Sequence, residues 1–296
     1  MTTPPSIDAD LPSNWGRWAD DDELGTLNFI DEAARARGVA EAREGRVVSL
    51  ARPVDPVPLA APFPFAPTGM PTAVLQMINF TGSPARAMTD VLVINTHHLG
   101  LTHIDALVHV PIEEKVYPGV PLGDAAGLGV IRHGSTSAFV DGLVTRGVIL
   151  DLAPGGSLDS DHPVTGADLD EAERRGQVQV ESGDALVVRS AWVNADHPTE
   201  PAPWMTVDAV RWLGEREVSL YVGEVADKFN PLGPGIPMPL HQVALPRLGM
   251  PLIDNAEISG LWTTSEELAR RSFLLVVGVV PIRGATGLPI NPLAIF

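Results

Sequence analysis

Residues 95–109 read Asn-Thr-His-His-Leu-Gly-Leu-Thr-His-Ile-Asp-Ala-Leu-Val-His, the stretch with the densest chemical signal in the chain. Four of the eight histidines fall within it: His97, His98, His103 and His109. His103 and Asp105 stand two positions apart, so in an extended segment their side chains lie on one face. Imidazole nitrogen and carboxylate oxygen both suit Zn²⁺ or Mn²⁺. The spacing predicts a metal site, which His109 reaches only if the chain turns after Asp105.

For every histidine the alternative to metal binding is an ordinary structural role. A single histidine is more often a surface or hydrogen-bonded core residue than a ligand. Four histidines clustered with an aspartate in an apolar setting favour a functional site. His133, His162 and His197 are isolated among Gly, Asp and Pro, and we interpret them as loop residues.

The charge balance argues against two classes of partner. The 296 residues include 20 Lys and Arg against 37 Asp and Glu, a formal net charge of −17. This excess repels a nucleic-acid backbone, and the only lysines, Lys115 and Lys228, stand alone. The mostly apolar run at 273–282 is far shorter than the roughly 20 residues of a membrane-spanning helix. We expect neither nucleic acid nor a membrane as partner.

The absence of cysteine limits the chemistry further. It excludes disulfides, thiolate nucleophiles and cysteine-based zinc or iron–sulfur sites. Any metal must therefore be held by histidine and carboxylate. Residues 1–8 show neither the positive segment nor the apolar segment of a secretory signal, which predicts a cytoplasmic protein.

Strands and helices alternate along the sequence, which predicts the α/β class. Apolar and β-branched runs predict strands at 46–50, 73–79, 90–95, 147–152, 184–189, 218–222 and 273–280. Helical patterns occur at 32–43, 165–175, 207–215 and 241–248. Asp31 and Thr165 are the expected caps of the first two. Residues 53–71 hold seven prolines and predict a long loop. We predict a flexible segment at 1–14 and a single domain at 15–296.

The sequence resembles the metal-dependent cyclase family that includes kynurenine formamidase and isatin hydrolase. The family signature is His-x-Gly-Thr-His-x-Asp-x-x-x-His, and residues 102–109 match its second half position by position. Other segments also look like family members: 18–28, 46–53, 146–151, 182–190 and 284–295. The resemblance implies a swivelling β/β/α cyclase-like fold in one domain, and a homodimer or homotetramer.

The resemblance also implies a second ligand pair downstream. The family pattern places a histidine thirteen positions before a glutamate, and His241 and Asp254 fit this spacing, with aspartate replacing glutamate. Asp254 is shorter by one methylene but is itself a competent ligand. Asn255 is expected to orient the carboxylate, and Thr102 to lie beside the ligands. The alternative is a partly buried helix start at His241 and a surface turn at 254–255.

The chain departs from the signature at its first ligand. Counting back from Asp105, Leu99 and Leu101 stand where the family has its first histidine and its glycine. His97 or His98 could supply a replacement, because Gly100 gives the backbone local freedom. Otherwise one metal position is lost, so the site could hold one ion, two or none.

The resemblance implies hydrolysis of an amide, formamide, lactam or lactone of a small metabolite. The expected metal ligands are His103, Asp105, His241 and Asp254, with His97 or His98 as further candidates. His109 is the expected general acid and base. Aromatic residues could line a pocket for an aromatic substrate, or could simply pack: Trp15, Trp18, Phe63 and Phe65.

Two rival functions remain open at this point. The first is a metal-free or metal-poor cyclase or dehydratase acting on a biosynthetic intermediate, which the loss of a ligand at Leu99 favours. The second is a family member that binds a small molecule without catalysis.

Overall fold

A nine-stranded mixed sheet organises the protein. The computed structural model describes residues 11–58, 72–192, 199–228 and 236–296. Its strands are β1 (Val47–Ser49), β2 (Val57–Pro58), β3 (Val74–Thr81), β4 (Ala87–Ile94), β5 (His103–Asp105), β6 (Lys115–Val116), β7 (Val120–Pro121), β8 (Ala126–Gly127), β9 (Val130–Ile131), β10 (Leu143–Asp151), β11 (Pro163–Val164), β12 (Ala185–Arg189), β13 (Trp204–Met205), β14 (Leu220–Gly223), β15 (Leu252–Asp254), β16 (Ser272–Val277), β17 (Gly287–Pro289) and β18 (Leu293–Ile295). The main sheet has the order β1-β18-β16-β10-β12-β14-β15-β5-β17.

The helices are few. They are α1 (Glu32–Val39), α2 (Leu122–Ala125), α3 (Gly166–Gly176), α4 (Val207–Glu215) and α5 (Ser259–Leu268), with short 3₁₀ helices at Gly25–Phe29 and Thr136–Phe139 and a π-helix at Leu240–Leu248. Strands β10, β12, β14 and β15 are parallel, and α3 and α4 connect successive members of this group. The α/β class and the single domain are confirmed. Among the described residues, no helix is both long and apolar enough to cross a bilayer.

Capping residues determine where the predicted helices begin. The Asp31 side chain accepts a hydrogen bond from the amide of Ala34, and Thr165 forms a capping box with Asp168. The first helix ends at Val39 rather than at the predicted residue 43. Gly38 packs directly on the backbone of β10, where the chain turns. The Glu41 carboxylate then forms an ion pair with Arg270 at 2.6 Å.

Several elements differ from the sequence prediction. The pair predicted at 73–79 and 90–95 is a longer hairpin of eight paired residues in each strand. Helix α5 was not predicted, because its first turn has no side-chain cap and it contains Trp and two Thr, which are weak helix formers. In the proline-rich stretch, β2 is a short strand. Residues 59–71, which include Phe63 and Phe65, lie outside the described residues, and so does His197. Residues 1–10 also lie outside, and the predicted flexible segment 1–14 stays a prediction.

The core depends on a close contact between the two central strands β10 and β16. Gly147 stands opposite Phe273, whose side chain is fully buried. A Cβ atom at position 147 would lie 2.3 Å from the Phe273 ring, so the ring occupies the space that a side chain would need. The ring also packs against Phe296, with 5.5 Å between centroids. A glycine is therefore required where an apolar strand residue would otherwise be favoured.

We expect Gly147→Ala to lower the free energy of unfolding by about 1–3 kcal/mol, because the added methyl group overpacks the core. Urea unfolding followed by circular dichroism measures this change. Gly278→Ala is the matched control, since nothing lies within 4 Å of a Cβ atom at position 278. Equal stability of the two variants would contradict this account of the core.

Candidate metal centre

Strand β5 places His103 and Asp105 on one face of the sheet, as their spacing predicts. It lies between β15 and β17, and its middle residue, Ile104, is fully buried. After Asp105 the chain turns, with the amide of His109 donating to the carbonyl of Ala106 at 2.9 Å. The sequence predicts that His109 reaches the site only if the chain turns after Asp105, and the chain does turn there.

The carboxylate of Asp105 is the centre of the cluster. Its oxygen Oδ1 lies 3.0 Å from Nδ1 of His97, 3.5 Å from Nε2 of His103 and 4.0 Å from Nε2 of His109. Its other oxygen, Oδ2, lies 3.3 Å from Nε2 of His241. The side chain has no exposed surface, yet neither oxygen accepts a hydrogen bond. A buried anion without hydrogen bonds is costly, and a cation among these atoms would remove that cost.

Three of the histidines are oriented by a partner on the ring nitrogen that faces away from Asp105. Nε2 of His97 lies 3.1 Å from Oγ1 of Thr286. Nδ1 of His103 lies 2.8 Å from the carbonyl oxygen of Leu101, which can only accept, so this nitrogen carries the proton. In His241, Nδ1 faces the carboxylate of Asp227 at 2.8 Å. In His103 the other nitrogen, Nε2, is therefore left with a lone pair toward the cluster, as in metal-ligating histidines.

Burial and charge act in opposition on the pKa values of the cluster. Burial raises the pKa of Asp105, but contacts with His241 and His97 outweigh it and hold the pKa below its ordinary range. Burial lowers the pKa of His241, but contacts with Asp105, Asp227 and Asp254 raise it well above the ordinary value. The Asp105 carboxylate therefore stays ionised, and its negative charge favours a positive charge among the groups that surround it.

His109 has the opposite character. Burial lowers its pKa to about 4, an effect that Asp105 opposes and the neighbouring His97 and His241 reinforce. Its ring stacks on that of His97 with 3.7 Å between centroids and 2° between planes. Two imidazoles this close disfavour a second positive charge. His109 is therefore neutral near pH 7.

The described residues contain two groups whose ligand atoms converge enough to hold an ion. One consists of His97, His103 and Asp105, and the other of Asp105, His109 and His241. Asp105 belongs to both, so a single carboxylate could bridge two ions. Carboxylate and imidazole groups without cysteine suit Zn²⁺ and Mn²⁺ alike.

The remaining predicted site residues have more peripheral positions. The His98 ring accepts a hydrogen bond from the amide of Gly100 and joins neither group. Asp254 is at the rim, with Oδ2 at 3.4 Å from Nε2 of His241, and also belongs to neither group. Thr102 donates to the backbone carbonyl of Asn255 at 2.8 Å, which ties β5 to the end of β15. Of the two proposed replacements for the first ligand, the fold brings His97 into the cluster, while the side chain of Leu99 is 80% exposed.

The aromatic residues near the N-terminus pack within the protein. Nε1 of Trp15 donates to the carbonyl of Pro246 at 2.8 Å. Trp18 packs edge-on against Phe29, with 5.1 Å between ring centroids.

Sequence reasoning missed three residues that support the histidines: Asp227, Thr286 and Gly287. Asp227 accepts the amides of Leu240 and His241 as well as Nδ1 of His241, so one carboxylate both caps the π-helix and orients the ring. Gly287 leaves room for His97, because a Cβ atom there would lie 2.5 Å from Cε1 of that ring. The glycine-rich segment 284–295 was a signal for Gly287. No local pattern links Asp227 to a histidine fourteen positions later.

We expect Asp227→Asn to weaken metal affinity about 10- to 100-fold, since the asparagine cannot hold the His241 ring as an ionised carboxylate does. Competition with a chromophoric chelator measures the affinity. The control is Asp161→Asn, which removes an exposed ion pair with Lys228. If both variants bound metal like the parent, the orienting role of Asp227 would be wrong.

Thr286→Val is expected to weaken metal binding by a smaller factor, on the order of tenfold, because the valine cannot hydrogen-bond His97. Thr286→Ser should restore the parental affinity in the same competition assay. If the valine variant bound metal as tightly as the parent, the claim that Thr286 orients His97 as a metal ligand would be wrong.

Comparisons with known proteins agree with this architecture. The family model described as "Putative cyclase" matches residues 21–227. The crystal structure of a novel cyclase superposes with a TM-score of 0.81 at 24% identity, covering 98% of this chain and 100% of that one. No curated protein matches the chain.

Two isatin hydrolases share the fold at greater distance. Isatin hydrolase A from Labrenzia aggregata, bound to benzyl benzoate, has a TM-score of 0.60 at 18% identity and covers 84% of this chain and 93% of its own. Isatin hydrolase A from Ralstonia solanacearum has a TM-score of 0.57 at 21% identity, covering 88% and 95%. Because the family model spans more than half of the sequence and the fold agrees over nearly its whole length, the chain belongs to the cyclase family.

Proposed function

We propose that the protein is a metal-dependent hydrolase that cleaves an amide, formamide, lactam or lactone bond of a small metabolite, aromatic ones included. The observation that carries the proposal is the Asp105 carboxylate, fully buried and without a hydrogen bond while four imidazoles converge on it. The isatin hydrolases that share its fold support hydrolysis of a cyclic amide as a reaction type within reach of this architecture.

The ligands in this proposal are His103, Asp105, His241 and Asp254, with His97 in place of the family's first histidine. When bound, a divalent ion of Zn²⁺ or Mn²⁺ type polarises the substrate carbonyl and lowers the pKa of water toward roughly 7. Burial of Asp105 and the fixed rings of the histidines exclude bulk water from one side of the site. The substrate then enters from the side on which His97 and His109 keep 24% of their side chains exposed.

His109 acts as the general base and then as the general acid. Its lowered pKa leaves the imidazole neutral near pH 7, so it can take a proton from the attacking water. The same ring returns that proton to the leaving nitrogen or oxygen, which allows the C–N or C–O bond to break. Its stack on His97 holds the ring plane fixed during both transfers.

A metal-free cyclase or dehydratase is the second candidate, and the observation that favours it is Leu99 at the family's first ligand position. In that case His109 and a carboxylate would exchange protons with the substrate directly, and Asp254 at the rim is the partly exposed carboxylate of the site. A family member that only binds its ligand would retain ligand binding without turnover.

Substitutions at the two histidines should separate binding from proton transfer. We expect His103→Ala to lose both metal and hydrolysis, because it removes a ligand. His109→Gln should keep the metal held by His97, His103 and Asp105 while turnover falls about 10²- to 10⁴-fold, the usual contribution of a general acid or base. Metal content by mass spectrometry and hydrolysis of a panel of formamides, lactams and lactones provide the readouts.

His162→Gln is the control, since His162 lies outside both converging groups. Turnover by protein without stoichiometric metal, still abolished in His109→Gln, would contradict the hydrolase proposal and favour the cyclase or dehydratase. Binding of panel compounds without any turnover would favour the non-catalytic family member.

A further inference from the structure

Arg52 makes two contacts beside the metal cluster that no sequence pattern indicates. Its backbone amide donates to Oγ1 of Thr102 at 2.9 Å, and its Nε donates to the backbone carbonyl of Asn255 at 2.9 Å. Thr102 directly precedes the proposed ligand His103 in the sequence. Asn255 directly follows the proposed ligand Asp254. One arginine is therefore attached to both of the strand ends that carry these ligands.

The contacts of Arg52 close into a hydrogen-bonded set of three residues. The hydroxyl of Thr102 accepts the Arg52 amide and donates to the same carbonyl of Asn255, at 2.8 Å. A carbonyl oxygen has two lone pairs, so the Arg52 Nε and the Thr102 hydroxyl together saturate it. We call this set of Arg52, Thr102 and Asn255 the Asn255 clamp.

The Asn255 clamp holds the chain where strand pairing no longer does. Strand β15 ends at Asp254, which is paired with His103 of β5. The next residue, Asn255, has a φ of 57°, in the left-handed region that a residue other than glycine rarely adopts. The clamp therefore fixes the backbone immediately after Asp254, on the side that the sheet leaves free.

Asp254 depends on the position of its backbone more than a glutamate would. Its Oδ2 lies at the rim of the cluster, 3.4 Å from Nε2 of His241. Aspartate is one methylene shorter than glutamate and has one torsion fewer, so it has fewer rotamers with which to correct a displaced backbone. A short ligand at the rim requires a fixed backbone behind it.

An ion pair does not explain why Arg52 is placed here. Its guanidinium forms no ion pair with any carboxylate of the residues that the structure describes. Its charge acts on Glu257, but the pKa of that carboxyl is lowered first by hydrogen bonding to Ser259 and less by Arg52. The hydrogen bond from Nε to Asn255 is therefore the contact to which a role can be assigned.

We propose that Arg52 is a positioning residue, which holds the Asp254 carboxylate at the metal cluster through the Asn255 clamp. The inference rests on the proposed function, in which Asp254 is a ligand. It adds to the site a residue from the segment after β1, 203 positions before Asn255 in the sequence.

Two substitutions of similar length separate the hydrogen bond of Arg52 from its charge. Glutamine carries an amide N–H where arginine has Nε, so Arg52→Gln keeps the donor and removes the charge. Arg52→Met removes both. We expect the metal affinity, measured by competition with a chromophoric chelator, to fall about tenfold in Arg52→Met and to stay near the parental value in Arg52→Gln. The control is Arg46→Met, which removes an exposed ion pair with Glu267 and should bind metal like the parent.

A longer carboxylate provides a rescue that a merely structural role would not show. Asp254→Glu in the Arg52→Met background should recover most of the lost affinity, because the additional torsion lets the carboxylate reach the cluster from a displaced backbone. A double-mutant cycle measures this coupling between positions 52 and 254. Additive losses in the cycle would contradict the clamp.

A crystal structure of metal-free Arg52→Met provides a readout that needs no metal. The Asp254 carboxylate is expected to leave its place beside Nε2 of His241. An unmoved carboxylate would overturn the proposal, and so would parental affinity in Arg52→Met or an equal loss of affinity in Arg52→Met and Arg52→Gln. A parent protein that binds no metal would contradict the proposed function instead, and the position of Asp254 in the variant would still decide whether Arg52 holds it.

Discussion

The structure depends on one ionised carboxylate, that of Asp105, which has no exposed surface and accepts no hydrogen bond. Asp105 is buried at the end of β5, next to the edge strand β17 of the main sheet, and neither oxygen accepts a hydrogen bond. Such a group is tolerated only where positive charge compensates it. Three of the imidazoles around it are oriented by partners on the far side of the ring, and in His103 the carbonyl partner fixes the proton position. A cation shared among these groups accounts for both observations.

The fold assembles this site from segments far apart in sequence. Strand β5 contributes His103 and Asp105, the π-helix contributes His241, and the segment that follows the hairpin contributes His97. The edge strand β17 supplies Gly287, and because glycine has no side chain, His97 can approach the sheet there. Because β5 is hydrogen-bonded to β15 and β17 on its two edges, backbone pairing holds His103 opposite Asp254 and Asp105 opposite Gly287. The family resemblance therefore covers most of the chain rather than the histidine motif alone.

Local patterns predicted the parts of the site that lie close together in sequence. The spacing of His103 and Asp105 predicted their shared face, and the caps at Asp31 and Thr165 predicted where two helices begin. His97 could not be chosen over His98 from sequence, because the choice depends on the stack with His109 and on room at Gly287. Asp227 was missed for a similar reason, since its partner, His241, lies fourteen positions away and only the fold brings the two side chains together. Both features depend on contacts between segments that are distant in sequence, which local sequence patterns do not predict.

Anomalous diffraction from crystals grown with Mn²⁺ or Zn²⁺ tests the central claim most directly. The account predicts an anomalous peak at the absorption edge of the metal within coordination distance of the Asp105 carboxylate, with imidazole nitrogens of at least two of the converging histidines completing the site. A peak elsewhere in the protein, or a cluster that stays free of anomalous density in metal-replete crystals that diffract well, would contradict it.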